Sequence, residues 1–145
     1  MESDELDKIK YINKKMLQVK KSRIKNAGLG VFATKYIKKG TVIGELTGKR
    51  LNEEQFNRLR NTRYCYEVPM DDGTFEYIDS KHSPICTMAR INGAASKSQE
   101  RRVNVESFVR SDKRVFYQAI RGIKKGQELL DNYGPYYVFD YQYCM

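Results

Sequence analysis

Short apolar runs broken by glycine turns are the feature of this chain that most limits its fold. Asn26-Ala27-Gly28-Leu29-Gly30 precedes Val31-Phe32-Ala33, and Ile37-Lys38-Lys39-Gly40 feeds Thr41 to Leu46. Asp72-Gly73 separates Tyr64-Cys65-Tyr66-Glu67-Val68 from the run Thr74 to Ile78, a hairpin signal. Val103 to Val109 and Arg114 to Ile120 predict a second hairpin around Ser111-Asp112-Lys113. Ile123-Lys124-Lys125-Gly126 echoes the earlier Ile-Lys-Lys-Gly, giving two similar turns without a fixed period. Many short strands and no long βαβ unit predict a mostly β domain and argue against a Rossmann-type sheet. Helix is expected only briefly. Asn52 can cap a short helix, with Gln55 placed to reach back, and Cys86 to Ile91 makes one or two helical turns.

The 145 residues fit one compact domain. Residues 1–16 are charged, with apolar positions at Leu6, Ile9, Tyr11 and Ile12 in roughly helical spacing, and the domain proper is expected over 17–145. No apolar run approaches the roughly 20 residues that span a bilayer, and the acidic start is unlike a secretory signal. A soluble intracellular protein without a membrane partner is the expectation.

The three cysteines, Cys65, Cys86 and Cys144, form no C-x-x-C pair, and His82 is the one histidine, so neither a zinc knuckle nor a multi-histidine metal site is expected. The net charge of +9 suits an acidic partner or weak nucleic-acid contact. Residues 97 to 125 carry nine basic and three acidic side chains, although no nucleic-acid motif accompanies them. Eleven tyrosines point elsewhere, because a phenol offers a π-face and a hydroxyl to a cation.

Four segments taken in order resemble the SET domain. They are Gly28 to Ala33 with Ile37 to Gly40 and Gly44-Glu45-Leu46-Thr47-Gly48; Tyr64-Cys65-Tyr66; Met88-Ala89-Arg90-Ile91-Asn92-Gly93; and Gly126-Gln127-Glu128-Leu129-Leu130-Asp131-Asn132-Tyr133-Gly134. The asparagine and closing motifs are most similar to the PR subtype. The resemblance implies several small β-sheets, short helices and a C-terminal pseudoknot, without zinc-binding flanks. It also implies a protein-lysine methyltransferase that uses S-adenosylmethionine, with histone tails as substrate and nuclear residence by analogy. A non-catalytic SET/PR-like module that recruits partners is the alternative.

The resemblance places Tyr133 and Tyr64 at the catalytic positions. Ala27, Gly28, Leu29, Gly30, Tyr64, Asn92, Gly93 and Tyr133 would then meet the cofactor, and Tyr66 and Asp131 the substrate, with no metal. Such chemistry suits these residue types. Glycines let the backbone approach a ligand. An asparagine amide offers both a donor and an acceptor. An aromatic channel disfavours an ammonium ion, whereas neutralising a free lysine near pH 7.4 costs roughly 4 kcal/mol. Two positions depart from the family pattern. Gly93 replaces the usual histidine, as in the PR subtype. Asp131 stands where many members carry an aromatic, and is read as facing solvent, drawing in the lysine, or opposing its deprotonation. The stretch Ala94 to Arg102 reads as a polar inserted loop.

Overall fold

The computed structural model describes residues 15–82, 85–94 and 96–132. Glycine turns divide them into ten short strands in four small sheets. Strand β1 (Leu17–Lys21) pairs antiparallel with β2 (Leu29–Ala33). Strands β3 (Val42–Leu46), β8 (Val105–Val109) and β9 (Val115–Ala119) form a sheet in the order β3-β9-β8. Strands β4 (Lys49–Leu51), β5 (Cys65–Pro69) and β6 (Phe75–Asp79) form another in the order β4-β6-β5. The fourth sheet is a parallel pair, β7 (Asn92–Gly93) with β10 (Leu130–Asp131).

Both expected hairpins form, and both close the same way. Gly73 N–H donates to Met70 O, and Lys113 N–H to Arg110 O. Gly73 and Lys113 each take a positive φ, of 86° and 69°. These are three-residue loops with a left-handed third position. Lysine supports that backbone less readily than glycine. Two ion pairs secure the second tip: Lys113 Nζ to Asp71 Oδ1 at 2.7 Å, and Arg110 to Asp112.

The helix Glu53–Asn57 begins with the expected capping box between Asn52 and Gln55. A 3₁₀ turn covers Thr87–Arg90. The Ala94 to Arg102 reading needs correction, because Lys97–Glu100 is a short helix capped by Ser96. Its signal, Ser96-Lys97-Ser98-Gln99, was legible as a cap. Strand β4 was also missed, since three residues carry no periodicity.

Core side chains come from all parts of this layout: Val31, Ile37, Ile43, Val68, Ile78, Met88, Ile91, Val105, Val115, Ile123 and Leu129 are buried together. Gly44 faces Met88, whose Sδ would stand 3.2 Å from an added Cβ.

The two Ile-Lys-Lys-Gly turns lie side by side. Ile37 and Ile123 exchange both backbone hydrogen bonds, each at 2.9 Å. Around that pair the bonding repeats with the partners reversed. Gly40 N–H donates to Ala119 O and Ala119 N–H to Thr41 O, while Gly126 N–H donates to Ala33 O and Ala33 N–H to Gln127 O. Gly40 and Gly126 share a φ of +88°. A local two-fold axis therefore relates the copies.

Candidate active site

Three segments distant in sequence meet at the closing motif. Residues 126–129 run along β2: Leu129 N–H donates to Val31 O at 2.8 Å, and Glu128 bridges Phe32. Residues 130–131 then pair with Asn92 and Gly93. This is the part of the expected C-terminal crossing that falls among the described residues. Buried Asn104 latches it. Its Nδ2 donates to Glu128 O at 3.0 Å, and its Oδ1 accepts from Leu130 N–H at 2.9 Å. Asn104 N–H also donates to Leu130 O. One side chain thus replaces a neighbouring strand. The sequence reading overlooked it; the signal was an asparagine between two valines at the entry to a strand.

Glu128 organises the glycine turn. Oε2 accepts from Ser22 Oγ–H at 2.7 Å and from Asn92 Nδ2 at 3.2 Å, and Oε1 accepts from Arg23 N–H at 3.0 Å. Asn92 Nδ2 also donates to Leu29 O at 2.9 Å. Asn92 therefore spends its amide hydrogens on the protein, and its Oδ1 accepts no hydrogen bond among the described residues. The turn is closed by Ser22 N–H to Gly28 O at 2.8 Å. Ala27 is buried, and its N–H donates to Ile24 O at 3.2 Å.

The two glycines serve different needs. Gly28 takes φ +73° with nothing within 4 Å of an added Cβ. Its glycine answers to backbone conformation. An added Cβ on Gly30 would overlap Glu128 Oε2 and stand 3.2 Å from Asn92 Nδ2, so this glycine makes room for the protein's own carboxylate. The Gly28–Leu29 step stays open, with Leu29 45% exposed. An open backbone step beside an anchored asparagine and a buried carboxylate fits a ligand with cationic groups.

A second cluster lies on the β8–β9 sheet. Ser107 and Tyr117 are cross-strand partners and so share a face. Tyr66 OH bonds Ser107 Oγ at 2.8 Å, and Tyr117 bonds the Asp131 carboxylate. Asp131 is 6% exposed, which corrects the expectation that it could face solvent. Burial pushes its carboxyl up to about 6, Glu106 adds to the rise, and bonds from Asn132 N–H and Tyr117 oppose it. Tyr66 is raised above the usual phenol range, mainly by burial and further by Asp131, against the Ser107 bond. Tyr66 and Asp131 are thus brought together. Tyr64, two residues before Tyr66, is half-buried under the Arg63 guanidinium, 5.6 Å from its ring, and its carbonyl accepts from Ser80 N–H. Gly93 contributes backbone only, opposite Asp131. Tyr133 lies outside the described residues. No group of three metal-ligating side chains occurs among the described residues, nor any helix long and apolar enough to cross a membrane.

Small sheets crossed by an asparagine strand and a closing strand, with a glycine turn held between them, define a SET-type methyltransferase domain. The family model of the PR domain of PR domain zinc finger protein 2 matches residues 17–143, and the chain belongs to the SET/PR-domain methyltransferase family. Histone-lysine N-methyltransferase set-17 of Caenorhabditis elegans is 30% identical over 123 residues, covering 84% of this chain and 42% of that protein. PR domain zinc finger protein 14 of Homo sapiens is 28% identical over 108 residues, covering 74% of this chain and 18% of that protein. The chain thus spans less than half the length of either relative. The methyltransferase domain of human PR domain-containing protein 2 superposes with a TM-score of 0.66 at 24% identity, over 82% of this chain and 77% of that one. An active polycomb repressive complex 2 in the stimulated state gives 0.65 at 25% identity, over 81% and 15%. The family uses S-adenosylmethionine and acts on proteins.

Proposed function

We propose that this domain methylates a lysine amine of a protein, with a histone tail as substrate and S-adenosylmethionine as donor. The observation that carries the reading is the hydrogen bond from Asn92 Nδ2 to Leu29 O, which fixes the asparagine strand against the glycine turn. S-adenosylmethionine supplies, when bound, a sulfonium methyl group open to in-line displacement. The exposed Gly28–Leu29 backbone and Asn92 Oδ1 would hold it, with the Glu128 carboxylate behind them as a complementary charge. Tyr64, Tyr66 and Tyr133 would wall the lysine's approach, Tyr133 on the strength of the family motif alone. The chain's own share is alignment, exclusion of water and a neutral amine. Nuclear residence follows from a chromatin substrate and belongs to the same proposal.

Asp131 favours a second reading. An ionised carboxylate beside Tyr66 stabilises an ammonium ion and resists its deprotonation. A site of that kind suits a module that holds a partner's cation without modifying it. One experiment separates the two. S-adenosylmethionine binding is measured by calorimetry, and transfer of a labelled methyl group to histones and octamers is followed for wild type and Tyr133→Phe. Binding with transfer, lost in Tyr133→Phe, supports methylation. Binding without transfer to any protein supports the second reading, and absence of binding overturns the first.

A further inference from the structure

The lysines of the paired Ile-Lys-Lys-Gly turns play no part in the site above, yet they build a surface of their own. The stretches 35–41 and 119–127 hold six cations and no acidic residue. Lys35, Lys38, Lys39, Arg121, Lys124 and Lys125 are all exposed, and none pairs with a carboxylate among the described residues. The Ile37–Ile123 bridge binds the two stretches at their centres. Its antiparallel sense sends Lys38-Lys39 off on one side and Lys124-Lys125 on the other, related by the local two-fold. Tyr36, 58% exposed, lies across Gly122, where an added Cβ would overlap its hydroxyl. Arg121 donates to the Arg101 carbonyl at 3.0 Å, which brings the basic pair Arg101-Arg102 to the same edge.

We propose that this face docks on the phosphate backbone of duplex DNA, through the two lysine pairs set about the Ile37–Ile123 axis. Exposed lysines that pair with no carboxylate among the described residues can displace counterions from phosphates, which is the main source of sequence-independent affinity. The two-fold favours a duplex over an acidic protein. The antiparallel strands of B-DNA are themselves related by dyads, so each lysine pair can meet one strand in an equivalent way. Tyr36, exposed on the same face, carries a hydroxyl that can donate to a phosphate oxygen. This surface is independent of methyl transfer and stands whether or not the domain methylates anything.

The test is fluorescence anisotropy of a labelled 20-base-pair duplex of arbitrary sequence, titrated with the chain at several salt concentrations. The variants are Lys38→Gln with Lys39→Gln, Lys124→Gln with Lys125→Gln, and Lys20→Gln with Lys21→Gln as an equal charge change elsewhere. Each neutralised phosphate contributes about 0.9 to the salt slope, so either turn pair lowers it by about 2 and the β1 pair leaves it unchanged. Single changes at Lys38 and Lys124 each give about half that loss. The proposal is overturned if the β1 pair matters as much as the turns, or if only one turn matters. It is equally overturned if the salt response is flat, or if polyglutamate or single-stranded RNA displaces the duplex as well as unlabelled duplex does.

Discussion

Glu128 occupies the space that a side chain on Gly30 would need. Its Oε2 atom would overlap an added Cβ, and its Cδ would lie 3.1 Å away. The carboxylate is held there from three directions, by Ser22, Arg23 and Asn92, so it cannot swing aside without loss.

Gly30→Ala should therefore destabilise the domain by about 1–3 kcal/mol through overpacking. Gly28→Ala has room for its methyl group but not the right φ, and should cost about 1 kcal/mol. Urea unfolding of both variants checks the order. S-adenosylmethionine binding should fall further in Gly30→Ala, because Asn92 is displaced with Glu128.

Asn104→Ala leaves a buried amide hydrogen on Leu130 and a buried carbonyl on Glu128 without their partners. Each orphaned group costs about 1–3 kcal/mol, so a loss of about 2–6 kcal/mol is expected in chemical denaturation. The parallel β7–β10 pair should lose amide-exchange protection first.

Asp131 predicts a pH effect of definite sign. Its carboxyl sits at about 6 in the fold against an ordinary 3.8. The native state therefore binds the proton more tightly than the unfolded chain. The stabilising contribution is fully present below about pH 4, declines as pH rises, and is gone above about pH 6. Asp131→Asn removes this dependence, so across that window wild type should lose roughly 3 kcal/mol relative to the variant. Melting temperatures of both proteins from pH 4 to 8 test this. If the domain transfers methyl groups, Asp131→Asn should also raise kcat near pH 7.5, because the carboxylate no longer stabilises the ammonium form.

Cys65 should be a poor nucleophile. Burial pushes its thiol up to about 11, Asp79 across the strand pair adds to the rise, and Lys81 opposes it. At pH 8 its alkylation should be about two orders of magnitude slower than that of a free thiol with a pKa of about 8.5. Mass spectrometry after timed iodoacetamide treatment reads this directly, and the rate should climb as pH approaches 11.

Most of the fold was legible because its signals are local. Asp72-Gly73 and the run around Ser111-Asp112-Lys113 announce turns, and Asn52 with Gln55 announces a cap, each within a few residues. The candidate site was legible as motifs but not as geometry. Ala27, Gly28, Leu29, Gly30, Asn92 and Gly93 were singled out by their order along the chain. That Glu128 ties the turn to Asn92, and that Asn104 completes the strand pair, depends on contacts spanning 24 to 106 positions. No local pattern encodes such distances. Asp131 was identified as the unusual position, but its burial follows from Tyr117 and Tyr66 on other strands, beyond the reach of neighbouring residues.

The pairing of residues 130–131 with 92–93 also has a consequence for how the chain folds. Loops this long close slowly, so the hairpins can form well before the parallel pair. A nascent or partly opened chain then has sheets but lacks the site proposed for the cofactor. Any molecule that binds the completed site will favour the completed fold by mass action, raising the stability of strands it never touches.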